Sequence, residues 1–138
     1  MQTFSSLPLL LAILFSSVIS QLYAADDQAA RETCIKQANL NADELNRVKS
    51  ESAVMKLVDD DSEALKCYQR CYYRQLGLMD DAGKAVVPLL VDYISKITGV
   101  SDKKKITEVF LSCKSVKRDS ECDKVYQIGK CIMQKLAV

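Results

Sequence analysis

The sequence predicts an all-α domain of about six helices tied together by disulfide bonds, preceded by a cleavable leader. Three observations carry that expectation. Apolar residues recur at three- and four-residue steps in one segment after another, and no stretch alternates as a strand does. The 138 residues suffice for one domain and are too few for two ordinary ones. Six cysteines follow a leader of secretory type, a context that favours bridged sulfurs and therefore three disulfides.

Leu9 to Ile19 is an uncharged, mostly apolar run broken only by Ser16 and Ser17. At this length and position it reads as a signal peptide rather than a membrane span, although Met1 to Pro8 holds no Lys or Arg. Residues 1–24 are assigned to it and 25–138 to the mature domain, with cleavage after Ser20 as the other option. The leader holds no charged side chain, so the domain keeps 19 basic against 18 acidic residues, net +1. Such balance argues against a nucleic-acid binder, which needs a clustered basic excess. No later apolar stretch is long enough to span a bilayer, so the expected product is soluble, secreted and extracellular.

Asp26 and Asp27 open a first helix to Gln37, their charges favoured by the helix dipole, with Ala30, Cys34 and Ala38 on one face. A second helix is expected from Asp43 to about Met55, with Leu45, Val48 and Ser52 inward. The alternative there is that Val54, Met55, Leu57 and Val58 pack as a loop wall. Asp60 as N-cap with Glu63 three residues on predicts the start of a central helix, and Gly77 its stop. The turn Asp80-Asp81-Ala82-Gly83 follows. Pro88 suits the first turn of a fourth helix that buries Leu90, Val91, Ile94 and Ile97, ends at Gly99 and leaves Tyr93 at its edge. Ser101 or Asp102 caps a fifth, with Ile106, Val109, Phe110, Cys113 and Val116 inward. The last starts near Asp119-Ser120 and shows Cys122, Val125, Tyr126, Ile128, Ile132 and Leu136, with Gly129 costing it roughly 1 kcal/mol relative to alanine.

The central helix carries Cys67 and Cys71 four positions apart, on one face and aimed at neighbouring elements rather than at each other. Cys122 and Cys131 are nine residues apart, about two and a half turns, so they serve different partners. Six cysteines still leave fifteen pairings open.

The spacing as a whole, Cys34, Cys67-x3-Cys71, Cys113, Cys122-x8-Cys131, together with the leader and the helical pattern, resembles the insect odorant-binding protein family, the pheromone and general odorant-binding proteins. The turn Gly77-Leu78-Met79-Asp80 is similar too. The resemblance implies bonds Cys34–Cys71, Cys67–Cys122 and Cys113–Cys131, and a fold enclosing an apolar cavity. It also implies the function: a secreted carrier that binds and solubilises small hydrophobic molecules of odorant or pheromone type. By position relative to the cysteines it implies a wall of Tyr73, Leu76, Leu78, Met79, Tyr93, Phe110 and Ile132.

The wall residues suit that role chemically, since binding a lipophile scales with apolar area removed from water. Met79 adapts to varied shapes, and Tyr73 and Tyr93 each offer a hydroxyl to a ligand carbonyl or alcohol. Tyr68 and Tyr72 are expected to turn their hydroxyls to water. The residues after Cys131 are too few for an extra helix and are expected to fold over as one wall, with Leu136 and Val138 inward. The chain has no histidine, so ligand affinity is expected to vary little between about pH 7 and 6.

Other classes fit less well. Without histidine there is no Ser-His-Asp triad, Cys-His pair or histidine-ligated metal, so no enzyme, cofactor or metal is expected. One Cys-x3-Cys pair is half of a zinc site, and the secretory route favours its oxidation. A secreted disulfide-rich interaction or signalling protein without a small-molecule ligand is the alternative. Lys103-Lys104-Lys105 would be its contact with a membrane or a receptor, and a chemoreceptor is a candidate partner of the carrier as well.

Overall fold

The computed structural model describes residues 26–58 and 62–136; the leader, Asp59 to Asp61 and Val138 lie outside them. Helix α1 spans residues 26–37. It is followed by α2 (Ala42–Ser50), a 3-10 turn (Val54–Lys56), α3 (Glu63–Gln75), α4 (Val87–Thr98), α5 (Lys103–Cys113) and α6 (Glu121–Leu136). Among the described residues no strand forms, and a single antiparallel bridge joins Met79 to Ala85.

The central helix α3 packs chiefly on α6, α6 also on α5, and α5 on α4. Each contact is made by a stripe at helical spacing: Leu65, Tyr68, Gln69, Tyr72 and Tyr73 on α3, and Val125, Tyr126, Gly129, Ile132, Met133 and Leu136 on α6. Cys34–Cys71 ties α1 to α3, Cys67–Cys122 ties α3 to α6, and Cys113–Cys131 ties α5 to α6. These are the pairs that the family resemblance implies. They close sequence separations of 37, 55 and 18 residues. On the chain-entropy model each contributes roughly 3–4 kcal/mol, and overlapping loops do not add.

Local chemistry moves several boundaries away from the expected ones. Helix α2 starts from a capping box between Asn41 and Glu44, and stops at Ser50 instead of running on to Met55. Arg31 ends it: its guanidinium donates to the carbonyls of Val48 (2.9 Å), Glu51 (3.1 Å) and Ser52 (3.0 Å), occupying acceptors that a longer helix would need. Residues 53–58 then pack as a wall. Gln69, buried on α3, donates to the Leu57 carbonyl at 2.6 Å, and the Tyr126 hydroxyl donates to that of Val58.

The cap of α3 is Ser62, whose hydroxyl accepts from the Leu65 amide at 3.3 Å; it is not Asp60. Glu63 turns away to accept from Ser120, the residue before α6. At the other end Gly77 has φ 72°, with Gly77 N–H donating to Arg74 and Leu78 N–H to Tyr73. That pair of bonds is the Schellman arrangement, and it needs a residue without Cβ strain at Gly77.

Asp102 caps α5 through the Lys105 amide, and Lys114 closes it, which leaves Val116 beyond the helix rather than on its inner face. Residues 132–136 do not fold back. They extend α6 to Leu136, which is buried, because the intact backbone ladder satisfies their amides and carbonyls.

Candidate functional site

A partly open cavity of ≈ 350 Å³ lies where α3, α4, α5 and α6 converge, near the low end of the range usual for small-molecule pockets. Helix α6 supplies one side with Val125, Ile128, Gly129 and Ile132. Facing it are Tyr73 of α3, Leu78 and Met79 just after it, Val87 and Leu90 of α4, and Phe110 of α5. Met55 of the 3-10 turn completes the inner wall, held there by the Gln69 and Tyr126 hydrogen bonds. Gly83, Lys84, Ala85, Lys114, Glu121 and Lys124 surround the opening.

Five of the seven residues proposed for the wall meet at this cavity: Tyr73, Leu78, Met79, Phe110 and Ile132. The Schellman turn at Gly77 is what brings Leu78 and Met79 round to face α6. Leu76 and Tyr93 are not in the lining. Leu76 is the C-cap of α3 and packs half-buried against the core. Tyr93, expected at a helix edge, is only 5 % exposed and stands behind Tyr73, with ring centroids 6.4 Å apart in an edge-on arrangement. Leu136 is buried without bordering the cavity.

Met55, Leu90, Val125, Ile128 and Gly129 were not singled out for the wall from sequence. The inner stripe of the last helix already contained Val125 and Ile128, and Leu90 lay on the inward face of the fourth. Met55 belongs to the loop wall that the sequence offers as the alternative to a longer second helix, and Gln69 and Tyr126 hold that loop inward.

Tyrosine placement also departs from expectation. Tyr68 and Tyr72 are buried rather than turned to water. Tyr72 donates to Asp27 and lies under the Arg31 guanidinium, 5.7 Å from ring centroid to carbon, so its hydroxyl belongs to the network that joins α1, α2 and α3. Burial pushes the Tyr68 phenol up to about 12, with Arg31 opposing and Asp27 reinforcing. Tyr73 differs. Its hydroxyl is buried with no hydrogen-bond partner among the described residues, and burial, with Tyr93 adding to it, raises its pKa well above the usual phenol value. It is therefore a protonated donor beside an apolar space, 3.8 Å from where a Cβ on Gly129 would lie.

Lys66 and Asp123 form an ion pair of 2.8 Å between α3 and α6, next to the Cys67–Cys122 bond. The Lys66 hydrogen bond is the main cause of a lowered Asp123 pKa, opposed by desolvation and helped by Gln127 and Arg118. Glu63, Cys67 and Cys122 lie close enough to suggest a metal site, but the two sulfurs are bonded to each other and offer no thiolate. Lys103 of the triple-lysine segment pairs with Asp92 of α4 at 2.8 Å on the exposed surface. No helix among the described residues is long and apolar enough to cross a membrane.

Comparison with known proteins agrees with this geometry. The chain is 26% identical over 138 residues to Odorant-binding protein 10 of Aedes aegypti, covering 96% of this chain and 94% of that one. It is 22% identical over 120 residues to General odorant-binding protein 56a of Drosophila melanogaster, covering 83% and 80%. A fatty acid binding protein, OBP56a, from the oral disk of the blowfly Phormia regina shares the fold, with a TM-score of 0.64 and 19% identity over 84% of this chain and 94% of that one. The model of the PBP/GOBP family matches residues 22–135. With nearly the whole domain matched, three disulfides and a helical frame of this order, the chain belongs to the PBP/GOBP family, the insect odorant-binding proteins.

Proposed function

We propose that the protein is a secreted carrier that takes up one small hydrophobic molecule of odorant or pheromone type in this cavity and solubilises it in an aqueous secretion. The observation that carries the reading is the cavity wall: buried apolar side chains from four helices around a volume that the protein's own groups leave unfilled. Burial of ligand carbon there contributes about 25 cal/mol per Å² of apolar area removed from water. The Tyr73 hydroxyl, without a protein partner among the described residues, adds one directional donor for a ligand oxygen. Tyr73, Leu78, Met79, Phe110 and Ile132 are the proposed contacts, with Leu76 and Tyr93 supporting them from outside the wall. The blowfly neighbour, named as a fatty acid binding protein, is consistent with a lipophilic cargo.

The test is fluorescence titration of the oxidised protein with N-phenyl-1-naphthylamine, followed by displacement with alkanols and alkyl esters. Saturable binding of one probe per chain, reversed by the lipophiles, is the expected result. A probe that does not bind, or that lipophiles do not displace, rejects the carrier reading.

A further inference from the structure

We infer that the mouth of the cavity is a head-group site for an anionic amphiphile, with Lys84, Lys114 and Lys124 facing the carboxylate of an alkyl acid whose tail lies along the apolar wall. The inference rests on the carrier reading and adds to it the charge class and orientation of the ligand.

The three lysines come from separate parts of the chain: the turn after α3, the C-cap of α5 and the first turns of α6. Among the described residues one acid, Glu121, shares the rim with them. The chain as a whole holds 19 basic against 18 acidic residues, so three against one at an apolar opening is a local excess. Lysines elsewhere in reach of a carboxylate use it, as Lys66 does Asp123 and Lys103 does Asp92. Among the described residues none of the three rim amines has an ion-pair or hydrogen-bond partner, although Glu121 borders the same opening. Lys84 and Lys114 are exposed and Lys124 is half-buried, so the stems extend the apolar wall while the ammonium groups stay at its outer edge.

Such an arrangement discriminates in one direction. An uncharged apolar cavity favours an ester over the matching acid, because the acid must give up carboxylate hydration. Cations held at the opening reverse that order without requiring the charge to enter the interior. Glu121 repels a second negative charge, so a monocarboxylate fits better than a dianion.

The experiment compares dodecanoic acid with methyl dodecanoate as displacers of N-phenyl-1-naphthylamine at neutral pH, where the acid is ionised. In about 0.01 M salt the acid is expected to bind about tenfold tighter than the ester, and the ratio to fall towards one in about 1 M salt. The triple variant Lys84→Met, Lys114→Met, Lys124→Met is expected to abolish the ratio at low salt, with its fold checked by circular dichroism. If that variant misfolds, the three single variants and the salt series decide the matter. Equal or tighter binding of the ester by the wild type overturns the head-group site and leaves the carrier reading standing. Acid preference that survives in the folded triple variant overturns the lysine assignment. Failure of acid, ester and probe alike overturns the carrier reading itself.

Discussion

Of the buried tyrosines Tyr68, Tyr72 and Tyr73, Tyr73 alone borders the cavity. A buried donor without a partner costs about 1–3 kcal/mol, and Tyr73 holds such a donor against the cavity. Tyr73→Phe is therefore expected to leave the unliganded protein as stable as before, or to raise its melting temperature by a few degrees. The same change should cost an alkanol roughly 2- to 10-fold in affinity and a plain alkane nothing. A clear fall in melting temperature would mean that the hydroxyl supports the fold instead.

Asp123 illustrates the opposite case, a polar group fully used by the fold. Its pKa is lowered in the folded state, chiefly by Lys66, so the unfolded chain binds the proton more readily. Its contribution is complete above the ordinary carboxylate range and is lost as the pH falls through the depressed folded value. Asp123→Asn should accordingly be less stable than wild type at neutral pH in denaturant titrations, with the gap closing in acid. A gap that persists at low pH would show that the pair is not its source.

At the scale of the element, Gly129 is the most telling position. A glycine inside α6 costs roughly 1 kcal/mol of helix stability, and here it lies on the face of α6 turned to α3 and also borders the cavity. A Cβ there would meet Met55 and the Tyr73 hydroxyl at 3.8 Å, ordinary contact, so alanine fits. Gly129→Ala is expected to stabilise the protein by about 0.5–1 kcal/mol and to weaken probe binding, while Gly129→Leu fills the space and blocks it. Melting and probe titration of the two variants read both effects; tighter binding by either would contradict this placement of the cavity.

The helices themselves were legible because each buries a face whose period is written in the sequence. That of α4 includes Leu90, Val91 and Ile94, and that of α6 Val125, Ile132 and Leu136. What was not legible depended on contacts between distant residues. Helix α2 stops where Arg31 takes its carbonyls, and Arg31 is 17 positions away from the nearest of them. The wall at Met55 depends on Gln69 of another element. Asp60 and Ser62 are both acceptable caps locally, and the choice between them is not a local matter.

For the whole molecule, the covalent frame is comparable to the stability of a typical domain, about 5–15 kcal/mol against roughly 3–4 for each bond taken alone. Cross-links of this strength allow the fold to retain a cavity whose unfilled volume would otherwise be costly. The pairing of the cysteines and the positions of five lining residues were legible only through the family resemblance, since spacing alone leaves fifteen pairings open. The rim lysines were not, because their assembly from three segments exists only after folding.

The most direct test of the account is a crystal of the protein soaked with a brominated alkane and measured at the bromine edge. One anomalous peak is expected inside the space bounded by Tyr73, Leu78, Phe110, Gly129 and Ile132. An empty, solvent-filled cavity, or bromine bound only at the outer surface, would contradict it.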